Sequence, residues 1–242
     1  RRPAAAVRRR RAVRRLDAFD APAIGFAPEA VLFDMDGLMI ESERALLECW
    51  RAAADELALD LDDALWLSMV GLHDRACLDL LHARLDPPQV RALVDGANAL
   101  YELRVHAGLP LKPGVFELLG VLQGRGLPCA VVTSTRRERA LFKLERCGLL
   151  AHFRDVVTGS DVEHPKPAPD IYRLAAQRLG VDPARCVVLE DSAPGVRAAL
   201  AAGMTPIQVP DLVAPDEGVR ALGHRIVDSL RHARVLIEPA LA

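Results

Sequence analysis

Val31-Leu32-Phe33-Asp34-Met35-Asp36-Gly37 is an apolar run that stops at two carboxylates and a glycine. Such a run reads as a strand covered on both faces, the habit of a parallel sheet, in which ligands gather where the strands finish. That reading places chemistry at residue 34. Alternate side chains of an extended chain point opposite ways, so Asp34 and Asp36 converge only if the chain turns at Gly37, which has no Cβ to forbid the turn. Asp-x-Asp-Gly also describes ordinary loops and parts of calcium sites. The rest of the chain has to decide.

From Pro113 onward the pattern alternates. A helix over Val115 to Gln123 precedes a short strand, Cys129 to Val132, that ends at Thr133-Ser134-Thr135. Then come a helix (Arg137 to Arg146), a strand near Asp155 to Thr158, a helix (Pro169 to Leu179) and the strand Cys186 to Leu189, which ends at Glu190-Asp191. Helix Ala193 to Ala202 and strand Thr205 to Val209 follow, with a strand-like Arg225-Ile226-Val227 and a helix from Ser229 at the end. This alternation marks a doubly wound parallel sheet. Between the first strand and this run the spacing is purely helical: Ser42 to Leu59 with Ser42 as N-cap, Asp62 to Val70, His73 to Leu85, and Gln89 to His106, broken at Gly71 and Pro87-Pro88. The fold class predicted is therefore α/β, a doubly wound parallel sheet with a small all-α domain inserted after the first strand. Its expected bounds are 43–109, with the core at 29–42 and 110–242 and hinges near 38–43 and 108–113.

Residues 1–28 open with an Arg-rich stretch and pass through Ala-Pro sequence to Pro28. They lack the apolar segment of an export signal and the serines of a transit peptide, so a disordered tail is expected. Eight arginines and no acid in the first sixteen residues leave the remainder at about −10, against −2 for the whole 242-residue chain. A mildly acidic globular part argues against nucleic acid as a partner. No stretch approaches the ~20 apolar residues needed to span a bilayer. The five scattered cysteines, without a C-x-x-C pair, fit a reducing, cytoplasmic setting. A core of Ala, Leu and Val, at 51% apolar and 4% aromatic content, can fold without staples, and a monomer is expected.

Three strands thus deliver polar groups to one edge: Asp34 and Asp36, then Thr133 and Ser134, then Glu190 and Asp191. Neighbouring strands lie ~4.8 Å apart, so these carboxylates can share a hard cation, and an oxygen-only set favours Mg²⁺. Helix capping by Asp191 or Ser192 is the plain alternative. It accounts for Ser192 but not for two adjacent acids at a strand mouth. Lys166, in His164-Pro165-Lys166-Pro167, reads equally well as a lysine on a stiff loop at the site or as a solvated one.

Asp34-Met35-Asp36-Gly37, the strand ending at Thr133, the Lys-Pro-x-Pro loop at Lys166 and Leu189-Glu190-Asp191-Ser192-x-x-Gly195 resemble, in order, the four motifs of the haloacid dehalogenase-like (HAD) phosphohydrolases. The helical insertion resembles their α-helical cap on a Rossmann-like core, and Glu-Asp-Ser resembles the β-phosphoglucomutase-like and sugar-phosphatase branch. The resemblance implies that Asp34 is the nucleophile and Asp36 the acid and base, with a pKa raised above the ~3.9 reference. It implies that Thr133, Ser134 and Lys166 bind the phosphoryl group, and that Asp34, the Asp36 carbonyl, Asp191 and Glu190 (directly or through water) hold Mg²⁺. The substrate implied is a small phosphorylated metabolite, such as a sugar or polyol phosphate, with His73, Arg75 and Arg136 as candidate specificity residues. A sugar phosphomutase is the alternative within this chemistry. That subgroup has a histidine where this chain has Leu46 and a cap-loop arginine where it has Asp74, both of which favour the phosphatase; Arg75 or His73 can stand in for the arginine, and Thr135-Arg136 matches a pair that grips the second phosphate in mutases. A dehalogenase would not need Asp36 or the acid pair. A catalytically silent regulatory module would be expected to have lost an acid or the lysine, and all are present.

Overall fold

A computed structural model describes residues 22–69 and 74–241. Six strands, β1 (Ala30–Phe33), β2 (Cys129–Thr133), β3 (Asp155–Thr158), β4 (Cys186–Glu190), β5 (Thr205–Gln208) and β6 (Arg225–Ile226), form one parallel sheet in the order β3-β2-β1-β4-β5-β6. The helices are α1 (Ser42–Glu56), α2 (Asp63–Met69), α3 (Asp74–His82), α4 (Pro87–Ala107), α5 (Val115–Gly124), α6 (Arg137–Arg146), α7 (Asp170–Leu179), α8 (Ala193–Ala201), α9 (Glu217–Arg220) and α10 (Leu230–Ile237).

The two-residue period of the strands sorts the core into two layers. Val31, Phe33, Val131, Val187 and Leu189 join the apolar faces of α5, α6 and α10. Ala30, Leu32, Ala130, Val132, Cys186 and Val188 pack with α7 and α8 on the other side. Both faces being covered, strands β1, β2 and β4 are buried throughout, which is why they read as unbroken apolar runs. A third cluster, with Leu47, Ala53, Trp66, Leu81, Leu93 and Ala97, belongs to α1–α4. The two segments that join these helices to the sheet run side by side, bridged antiparallel at Ile40 and Leu111, with Glu41 N–H donating to Pro110 O at 2.9 Å and Lys112 N–H to Met39 O at 2.9 Å.

Several local expectations are corrected. Ser42 begins α1 but does not cap it; Glu41 holds the N-cap position without a side-chain bond. Pro87 and Pro88 start α4 instead of breaking the chain before it, because Asp86 and Gln89 form a reciprocal capping box and a first-turn proline has no intrahelical N–H to lose. Helix α9, a single turn capped by Asp216, was not expected. Most of the anticipated tail (1–21) lies outside the described residues, as do Gly71 and His73. Residues 22–28, however, are docked: Ile24 is 4% exposed and its N–H donates to Leu236 O at 3.0 Å, while Arg185 and Arg225 donate to the carbonyls of Pro22, Ala23 and Ala27.

Beyond β3 the chain is pinned by Asp161. Its carboxylate accepts from Thr158 N–H (2.8 Å), Thr158 Oγ1 (2.6 Å), Arg137 (2.7 Å) and Arg178 (3.1 Å). Burial would raise this acid, but those donors hold it far below the usual carboxylate range. Asp161→Ala orphans several donors at once and should cost about 2 kcal/mol at pH 7, read by urea denaturation.

Candidate active site

In the strand order the chain winds one way from β1 through β2 and β3 and the other way through β4, β5 and β6, so β1 and β4 flank the topological switch point, where ligands bind in such sheets. Phe33 pairs with Leu189, so Asp34 stands beside Glu190 across that crevice, and Asp34 N–H donates to Leu189 O at 3.0 Å. Gly37 turns the chain with φ of 80°; a Cβ there would overlap Asp191 Oδ2, so this position requires glycine for space as well as for conformation.

Lys166 is the electrostatic centre. Its side chain is 5% exposed, and Nζ donates to Asp34 Oδ1 (2.6 Å), Glu190 Oε1 (2.7 Å) and Val132 O (2.9 Å), the last a main-chain carbonyl of β2. Three donors thus meet three acceptors, and the solvated-lysine alternative is excluded. Tyr172, from α7, donates to Glu190 Oε1 at 2.7 Å and sets its ring 5.0 Å from the ammonium. Ser192 N–H and Oγ donate to Glu190 Oε2 at 3.1 and 2.9 Å while its Oγ caps α8 through Gly195 N–H. Glu190 therefore has both oxygens engaged by protein donors. Thr133 is buried with its Oγ1 accepting from Thr135 N–H at 3.1 Å, and Ser134 is exposed at the mouth.

Charge follows from this packing. Burial, opposed by Lys166 and reinforced by Glu190 and Asp36, pushes Asp34 up to about 7. Burial with the charges of Asp34 and Glu190 drives Asp191 well above its ordinary range. Burial would raise Glu190 too, but the Lys166 charge and hydrogen bond win and hold it low. Lys166, which burial would lower, is held high by the same two acids.

Asp36 departs from expectation. Its Oδ1 accepts from Lys143 Nζ at 2.7 Å and its Oδ2 from Thr135 Oγ1 at 2.6 Å. Burial alone would raise it, but Lys143 overrides that and leaves it below the ordinary value, not above. Lys143, on α6, is buried, and its ammonium lies 5.6 Å from the ring of Tyr101 on α4, so it links the sheet's acid to the helical insertion. Sequence reading missed this lysine. The available signal was its place beside Ala140 and Leu144 on the helix's buried stripe.

Asp34, Glu190 and Asp191 share one lysine charge, an oxygen-only arrangement that a hard divalent cation would relieve. Among the described residues no three His, Cys, Asp or Glu side chains form a ready cluster for a metal, so the fit rests on that charge imbalance and on the donor chemistry. Of the candidate specificity residues, Arg75 is exposed at the start of α3, Arg136 is exposed just before α6, and His73 lies outside the described residues.

A family model described as haloacid dehalogenase-like hydrolase matches residues 28–203. The chain belongs to this hydrolase family. It is 33% identical over 187 residues to the phosphorylated carbohydrates phosphatase of Thermotoga maritima, covering 74% of this chain and 83% of the relative. Fructose-1-phosphate phosphatase YqaB of Escherichia coli is 33% identical over 74% of this chain and 95% of its own length. The crystal structure of a HAD family hydrolase from Deinococcus radiodurans R1 with bound phosphate and sodium superposes with a TM-score of 0.75 at 33% identity, over 88% of this chain and 97% of that one. The α/β core with a helical cap after β1 is thus the family's fold.

Close packing behind the site yields a prediction. A Cβ on Gly195 would overlap the Glu190 carboxylate. Gly195→Ala should therefore displace Glu190 and Lys166, lower turnover about 100-fold and cost about 1–3 kcal/mol, checked by phosphate release and urea denaturation.

Proposed function

We propose that this hydrolase is a Mg²⁺-dependent phosphatase of a small phosphorylated metabolite, a sugar or polyol phosphate, acting through an aspartyl-phosphate on Asp34. The observation that carries the reading is the buried Lys166 ammonium, 2.6 Å from Asp34 at the crevice between β1 and β4. A nucleophile beside a fixed cation is the arrangement that phosphoryl transfer needs, because the work lies in positioning and in neutralising the equatorial oxygens. The sugar class rests on the phosphatases this chain resembles.

In this reading Asp34 attacks phosphorus, the P–O bond to the leaving group breaks, and Asp36 gives that oxygen a proton. Asp36 then takes a proton from the water that cleaves the Asp34–phosphorus bond. The ionised Asp36 held by Lys143 is the form suited to this second role; for the first, its carboxyl must leave Lys143 and gain a proton. Thr133, Ser134 and Lys166 bind the transferring oxygens. Asp34, the Asp36 carbonyl and Asp191 would hold Mg²⁺; Glu190, expected to help directly or through water, has both oxygens taken by Lys166, Tyr172 and Ser192 and would support the ion through water. The bound ion supplies positive charge to the phosphoryl oxygens and keeps Asp34 ionised. Residues 43–109 serve as the cap, over a core of 29–42 and 110–242, and His73, Arg75 and Arg136 contact the leaving group or a second phosphate.

The test is a panel of sugar, polyol and glycolate monophosphates assayed for phosphate release with Mg²⁺ and with chelator. Metal-dependent release ranked toward sugars or polyols is expected. Conversion of a sugar 1-phosphate to its 6-phosphate without release would replace the phosphatase by a mutase, and no reaction with any substrate would contradict an enzymatic role.

A further inference from the structure

Asp211 follows β5 and has no part in the chemistry described so far. One of its oxygens, Oδ1, takes the ammonium of Lys112 in an ion pair, and the side chain is 5% exposed. Its other oxygen, Oδ2, is buried without a hydrogen-bond partner among the described residues. An unpaired buried carboxylate oxygen is costly unless something else meets it. Its surroundings indicate what does. A Cβ built on Gly37 would lie 3.6 Å from Asp211 Oδ2 and would overlap Asp191 Oδ2, so both carboxylates border the same small space over the Asp36-Gly37 turn. Glu43, in the first turn of α1, is raised by burial and by the charge of Asp36, opposed by Lys143, with Asp211 adding a smaller push in the same direction as Asp36.

We propose that Asp211 is an outer carboxylate of the divalent-cation site, facing the ion held by Asp34 and Asp191 without ligating it. It rests on the reading that such a cation binds here. Mg²⁺ gives up its waters reluctantly, so a free carboxylate oxygen near its ligands has an acceptor's role toward that hydration shell, and groups of this kind tune metal affinity. Lys112 neutralises part of the charge. Because Lys112 adjoins the paired segments leading to the helical insertion, the same carboxylate ties the ion to the linker.

A purely structural Asp211 would only anchor Lys112, and the two roles separate by sign. Mg²⁺ is titrated calorimetrically into the full chain at pH 7 as wild type, Asp211→Asn and Lys112→Met, with thermal denaturation of each. Both variants lose the same ion pair. Asp211→Asn should weaken Mg²⁺ about tenfold, whereas Lys112→Met, which unmasks the carboxylate, should bind Mg²⁺ at least as tightly as wild type. Equal weakening in both, or affinities within twofold of wild type for Asp211→Asn, would overturn the assignment. Should Asp211→Asn not fold, weaker binding by Lys112→Met alone overturns it. A wild type that binds no Mg²⁺ overturns the cation reading itself, and this inference with it.

Discussion

Asp34→Asn should abolish turnover, with kcat lower by at least about 10⁴-fold, while the variant stays folded. The amide keeps the shape of the acid, and Lys166 retains Glu190 and the Val132 carbonyl as partners. Losing a carboxyl that burial already pushes up to about 7 should cost little stability at neutral pH. The informative comparison is therefore phosphate release against urea denaturation on the same preparation. A folded variant retaining activity within tenfold of wild type would remove Asp34 from the chemistry.

Lys166→Met should have the second largest effect, and on two observables. It removes the only lysine donating to Asp34 and Glu190 among the described residues, so catalysis should fall by about 10³-fold. It also leaves acids buried without their counter-charge, a change that costs about 3–5 kcal/mol. The pH dependence follows from Glu190. Its folded-state pKa is depressed from 4.5, mainly by Lys166 against the opposing effect of burial, so its contribution is fully present above that value and disappears as pH falls through the depressed one. Wild type and variant should therefore differ most at pH 7 and converge in acid. A gap that stays constant across pH 3 to 7, measured by urea denaturation, would show that Lys166 acts through packing and not through charge.

The sheet was legible because both of its faces are covered. Cys129–Thr133 and Cys186–Glu190 are unbroken apolar runs ending in polar groups, and one-dimensional patterning suffices to find such strands. The acids at their ends were legible for the same reason: a carboxylate has no ordinary place at the mouth of a buried strand. What escaped is what depends on partners far apart in the chain. Asp36 was expected to be raised because the acid role implied by the resemblance needs a proton to give, yet its partners Lys143 and Thr135 lie 107 and 99 residues away and hold it low. Lys112 and Asp211, 99 residues apart, look in the sequence like two solvated loop residues. Lys166 was ambiguous until Glu190 and Asp34 were seen on either side of its ammonium. The capping errors at Ser42 and Pro87 are of a different kind, since there the competing local signals lay within one turn: Glu41 takes the N-cap before Ser42, and at Pro87 the geometry of Asp86 and Gln89 decided.

The central claim is a covalent phosphoryl group on Asp34, and it can be caught directly. The enzyme is turned over on the best substrate of the panel, quenched with borohydride, digested and sequenced by mass spectrometry. The account predicts reduction of residue 34 to homoserine, present only with substrate and lost when the chelator is added first. Substrate-dependent phosphate release with residue 34 unmodified, or with the modification at another acid, would contradict it.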